Sequence, residues 1–107
     1  MPAFIPLAEE KLTVDGSATP ITAATLQDSD SQPLAIEEAV FTHVSGGNIF
    51  HSSLQSSISN AGANGENFEK LDNKWVIRGL EAIKDWEAIK ESGASDATVN
   101  VTLYGRP

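Results

Sequence analysis

The chain reads as an all-β protein: a compact β-sandwich or jelly-roll-like barrel of short strands, with an extended N-terminal arm and at most one short helix. Three observations predict this. Ala97 to Tyr104 alternates strictly, with Ala97, Val99, Val101 and Leu103 on one side and Thr98, Asn100, Thr102 and Tyr104 on the other. That is the period of a half-buried strand. Elsewhere the apolar runs are short and punctuated by Gly, Pro, Asn and Ser, the pattern of many short strands joined by turns. Finally, 107 residues of which 40% are apolar suffice for one core and one domain. We place an arm at residues 1–9 and a single sandwich domain at 10–107.

The arm carries Phe4, Ile5 and Leu7 between Pro2 and Pro6, and prolines hold such a segment extended while removing ladder donors. It is either an edge strand packed on its own domain or an apolar arm laid on a neighbour, which makes Phe4 and Ile5 candidate contact residues. Lys11-Leu-Thr-Val-Asp-Gly alternates and ends on the turn dipeptide Asp15-Gly16, and Pro20-Ile-Thr-Ala-Ala-Thr-Leu resumes with β-tolerant residues. The pair predicts two short strands with a tight connection. Asp28 to Pro33 is a polar loop whose side chains compete for backbone hydrogen bonds. Its Asp28 and Asp30 lack the further oxygen ligands, glycine and distal glutamate of a calcium hand.

Ala39 to His51 predicts a hairpin, two β-rich arms bracketing Gly46-Gly47. A turn centred there sets His43 and His51 near each other across the ladder. Two histidines with no third ligand make a poor zinc site, and ordinary strand surface is the plainer reading. Ser52 to Asn73 is the least regular stretch, anchored only by Leu54, Ile58, Phe68 and Leu71. A loop of that length in a small domain is usually either functional or only partly ordered, and on the first reading Asn60, Asn64 and Asn67 join the candidate contacts. Its glycines are too irregularly spaced for a phosphate cradle. In Leu80 to Ile89, good helix formers compete with an apolar spacing of three, which drifts by roughly 60° per step around a regular helix. Two extended pieces joined at Lys84-Asp85 are the preferred reading over one helical turn. Trp75 and Trp86 are expected in the core.

Fifteen acidic against seven basic residues leave a net charge of −8, which repels nucleic acid and anionic membranes. There is no cysteine, hence neither a disulfide framework nor a thiolate metal site. No apolar run approaches the roughly 18 residues needed to span a bilayer, and the N-terminus lacks the basic region of a cleaved signal. A soluble chain is expected. No catalytic, metal or cofactor signature stands out; scattered carboxylates are more often a solvated surface than an acid/base pair.

Taken in order, Leu12-Thr-Val-Asp-Gly, Pro20-Ile-Thr-Ala-Ala-Thr-Leu, Ala39-Val-Phe-Thr-His-Val-Ser-Gly-Gly-Asn-Ile, Gly79-Leu-Glu-Ala-Ile-Lys-Asp-Trp-Glu-Ala-Ile and Asp96-Ala-Thr-Val-Asn-Val-Thr-Leu-Tyr-Gly resemble the small β-sandwich virion proteins of tailed bacteriophages. The order and spacing of these fragments carry the resemblance across residues 10 to 105. It implies a non-enzymatic capsid decoration or cement protein, made in the host cytoplasm and sited on the capsid surface. The implied partner is the major capsid protein, bound by a dimer or trimer of this chain, with no cofactor, nucleic acid or membrane. A neck, tail or fibre-base component is the alternative within the virion, and a carbohydrate-binding sandwich module the alternative outside it. The chain departs from that family where a Gly-Thr-x-Pro-Thr-like turn is expected after the central hairpin. Ser52 to Glu66 stands there instead.

Overall fold

A computed structural model describes residues 4–53, 66–68 and 74–106. Its strands are β1 (Ile5–Val14), β2 (Thr19–Pro20), β3 (Ile36–Ser45), β4 (Ile49–Ser52), β5 (Glu66–Phe68), β6 (Lys74–Arg78), β7 (Glu87–Lys90) and β8 (Ala97–Gly105), with one α-helix, α1 (Leu80–Asp85), and a 3₁₀ turn at Ala23–Leu26. They form two four-stranded antiparallel sheets, β1-β8-β3-β6 and β2-β7-β4-β5. The all-β sandwich expected from the sequence is the architecture.

Strand β8 is central to the first sheet, bonded to β1 on one side and β3 on the other. Ala97, Val99, Val101 and Leu103 all face inward and are buried. Across from them lie Leu12 and Val14 of β1, Ala39 and Phe41 of β3, and from the second sheet Ile49 and Ala88, with Ile83 and Trp86 filling the space beside α1. Burying this one apolar set from both sheets is the main stabilising term, because each such side chain contributes roughly 1.5–3 kcal/mol on leaving water.

The connections differ from the sequence reading in a consistent way: they cross between sheets instead of turning within one. Asp15-Gly16 leads from β1 in the first sheet to β2 in the second, and β2 is only Thr19–Pro20, followed by the 3₁₀ turn where a longer strand was expected. Gly46-Gly47 likewise joins β3 and β4, which lie in different sheets, so there is no hairpin. His43 and His51 are therefore not ladder partners. Nor are they strand surface: both are buried, because they fall in step with inward Phe41 and inward Ile49.

The arm expected over residues 1–9 is, from Ile5 onward, the first half of edge strand β1, paired with β8 from Ile5↔Gly105 and bulged between Pro6 and Ala8. The preference for extended structure through Leu80 to Ile89 is half corrected. Leu80–Asp85 is helical and Glu87–Lys90 is a strand. A spacing of three does not drift off the core face when the helix lasts only six residues. Ile83 is buried inside it, and Trp86, whose backbone has already turned extended (φ −65°, ψ 136°), projects into the core as the helix stops.

Candidate functional site

Among the described residues, the polar groups of the 3₁₀ turn and of the Asp28 to Pro33 segment are held by hydrogen bonds within the fold. The Glu10 carboxylate accepts from the Thr22 backbone N–H at 3.1 Å, from Thr25 Oγ1 at 2.9 Å and from the Thr22 hydroxyl, fastening the 3₁₀ turn to β1. Asp28 Oδ1 accepts from the backbone N–H groups of Asp30 and Gln32 at 2.8 and 3.0 Å, which makes the Asp28 to Pro33 segment a self-closed polar turn. Among the described residues, no group of three or more His, Asp or Glu side chains is arranged to hold a metal ion.

Among the described residues, the densest arrangement of functional groups is internal. Phe41 and Trp86 stack with ring centroids 4.3 Å apart, and Trp75 meets His51 edge-on at 4.5 Å. Trp86 Nε1 donates to His51 Nδ1 at 3.0 Å. Burial pushes the His51 imidazole down to about 4, since the charged form has lost its water. At neutral pH it is an uncharged acceptor whose Nδ1 lone pair is occupied by the indole N–H. The cluster joins the two sheets, with Phe41 on β3, Trp75 on β6 and His51 on β4.

A measurable pH dependence follows. Because the folded-state value lies below the ordinary 6.5, the unfolded chain takes up a proton on His51 before the folded one does. Stability from this group is complete above pH 6.5 and is lost as pH falls towards 4, about 3 kcal/mol in all. We expect the unfolding free energy of the wild type, relative to His51→Gln, to drop by that order between pH 7 and pH 4 in urea titrations. A constant difference would show that His51 is not held neutral in the core.

On the outside, the sequence-derived contact candidates separate. Phe4 (43% exposed) and Ile5 (39%) stand together at the start of β1. Phe4 lines a groove of about 460 Å³ with Ile36, Glu37, Arg78, Gly79 and Leu80. Asn67 lies in β5, opposite Phe50, on the far edge of the other sheet, so the structure does not bring it to Phe4 and Ile5. Asn60 and Asn64 lie outside the described residues. The sequence reading missed Val76, which at 48% is, with Phe4 and Ile5, one of three large exposed apolar side chains among the described residues; its position between Trp75 and Ile77 in an alternating strand was the available signal.

No protein-family model, no curated protein and no solved structure matches the chain.

Proposed function

We propose that this chain is a non-enzymatic virion structural protein that binds the outer surface of an assembled capsid and stabilises it. The observation that supports this reading is the pair Phe4 and Ile5, exposed where the chain enters β1, beside the groove formed with Ile36 and Leu80. Exposed apolar side chains rimmed by charge are the usual form of a protein contact. Covering two such side chains is worth on the order of 1 kcal/mol each, given that they are already half-buried. That is too little for one tight complex, but enough for a lattice, where many weak contacts act together. A ligand that binds only the assembled shell stabilises it by mass action. The negative charge of the chain keeps such a coat protein soluble before it docks.

The carbohydrate-binding alternative draws less support. Its signature is an exposed tryptophan face, whereas Trp86 is fully buried and Trp75 is half-buried against His51.

The test is cosedimentation of the purified chain with capsids stripped of their decoration, scored as copies per capsid subunit. Saturable binding near one copy or one oligomer per lattice site is expected, weakened at least tenfold in Phe4→Ser/Ile5→Ser. A few copies on intact virions and none on the stripped shell would move the chain to the neck or tail. No binding to either would overturn the virion reading.

A further inference from the structure

Asp15-Gly16 carries the chain from β1 in the first sheet to β2 in the second, and it is the one Asp-Gly pair in the sequence. Asp15, Gly16 and Ser17 are all exposed. The Asp15 carboxylate folds forward along the chain, its Oδ1 accepting from the Ser17 backbone N–H at 2.9 Å. This is the turn that an Asp side chain makes with the backbone two residues on. It lays the carboxyl group along the Gly16 peptide unit, which the hydrogen-bonded ring spans. Among the described residues, no hydrogen bond engages the Gly16 N–H.

These features are what imide closure of an aspartyl peptide needs: a carboxyl carbon near the next backbone nitrogen, a nitrogen not tied up in a hydrogen bond, and no Cβ on the residue that bears it. The other described aspartates each lack at least one. Asp28 makes the same turn, with Oδ1 accepting from the Asp30 N–H at 2.8 Å, but Ser29 follows it. The nitrogen after Asp30 donates to the Asp28 carbonyl at 3.1 Å, and the nitrogen after Asp85 donates to the Ile83 carbonyl at 3.3 Å. Ala97, after Asp96, has a Cβ and begins β8.

We propose that Asp15-Gly16 is a site of spontaneous covalent modification, where the turn closes to a cyclic imide and reopens as isoaspartate. In the first step the Gly16 nitrogen bonds to Asp15 Cγ, the Cγ–hydroxyl bond of the acid breaks, and the hydroxyl leaves with the amide proton as water. In the second, water adds to the former main-chain carbonyl of Asp15, and the bond from that carbon to the Gly16 nitrogen breaks. The chain then runs through Cβ and Cγ, and the old carbonyl carbon becomes a free carboxylate. Nothing is oxidised or reduced; one water leaves and one enters.

The lesion falls where the two sheets are joined. The Asp15 carbonyl accepts from the Lys90 N–H at 2.9 Å, and β2, which follows, pairs with β7 through Thr19↔Ala88 and Pro20↔Glu87. An extra backbone methylene before Gly16 takes that acceptor out of the main chain and displaces β2 along β7. The modification does not depend on what the chain binds, and its amount grows with the age of the chain.

The test is to incubate the purified full chain in warm, mildly acidic buffer and cleave it after glutamate. Electron-transfer fragmentation then locates isoaspartate in the peptide Lys11 to Glu37, which contains Asp15, Asp28 and Asp30. Asn64-Gly65, outside the described residues, lies in a different peptide and gains mass on deamidation, so it is read separately. Isoaspartate at Asp15 is expected to accumulate at least about tenfold faster than at Asp28 or Asp30, with faster hydrogen exchange of the Lys90 amide in the aged chain. Gly16→Ala is expected to suppress it without disturbing the fold, because Gly16 does not have a positive φ and the added Cβ would meet only Lys90 Cε, at 3.9 Å. Asp15→Glu, whose longer side chain would have to close a six-membered ring, is expected to abolish it. Equal accumulation at Asp15 and Asp28, no effect of Gly16→Ala, or a native rate far below that of the urea-unfolded chain would overturn the proposal.

Discussion

Replacing Trp86 with alanine is expected to remove most of the stability of the fold. The side chain is completely buried, stacked on Phe41 at 4.3 Å, and bonded through its indole N–H to His51. Truncating a buried aromatic residue to alanine costs about 3–5 kcal/mol through lost transfer energy and the cavity left behind. Here the His51 Nδ1 also loses the donor that satisfies it, which adds about 1 kcal/mol or more. For a domain with a total stability of roughly 5–15 kcal/mol, that leaves little, and a fall of about 15 °C or more in Tm is expected. Trp86→Phe separates the two parts, since the ring and most of its packing remain while the donor is gone. A loss of about 2 kcal/mol is expected for it. The check is urea unfolding of both variants beside Trp75→Ala, whose side chain is only half-buried at the margin of the cluster. A loss below about 1 kcal/mol for Trp86→Ala would refute the central position assigned to Trp86.

The strand that carries this core was legible because its evidence is local. Ala97 to Tyr104 states its own period, and a strand apolar on one face must put that face on the core wherever its neighbours come from. Turn residues are less informative. Asp15-Gly16 and Gly46-Gly47 announce that the chain reverses, but the same glycine geometry serves a hairpin and a crossing from one sheet to the other. Which of them occurs depends on whether the next segment finds its partners nearby or far along the chain. Strand β4 pairs with β7 nearly forty residues later, and no local signal encodes that. Burial of His43 was within reach, since counting by two from Phe41 arrives at it. The reading favoured the general habit of histidine over the parity of the strand.

The contact surface was half visible for a similar reason. Phe4 and Ile5 are conspicuous because apolar residues between prolines lack an obvious place in a ladder. Ile36, Arg78 and Leu80 complete their groove only because β3, β6 and α1 converge there from distant parts of the sequence. Convergence of that kind depends on register, the property least determined by local pattern.

The crossing at Gly46 supplies the second large effect, Gly46→Ala. Gly46 has φ +95°, a conformation that strains any residue with a Cβ. It also packs directly on the start of β8: a Cβ there would overlap the Asp96 carbonyl oxygen and lie 2.5 Å from Ala97 Cα. Both obstacles are backbone, so no side chain can swing aside, and relief requires β3 to separate from the first residues of β8. The backbone strain costs about 1–3 kcal/mol and the overpacking a similar amount, so a loss above about 3 kcal/mol is expected. Gly93 provides the matched control. It too has a positive φ, at 85°, but nothing lies within 4 Å of the position its Cβ would take. Gly93→Ala therefore bears the conformational strain alone and is expected to cost about 1 kcal/mol. Urea unfolding of the two variants side by side measures the close approach of the crossing to β8. If Gly46→Ala were no worse than Gly93→Ala, β3 and β4 would be joined by a turn free of β8, as in the hairpin that the sequence alone suggests.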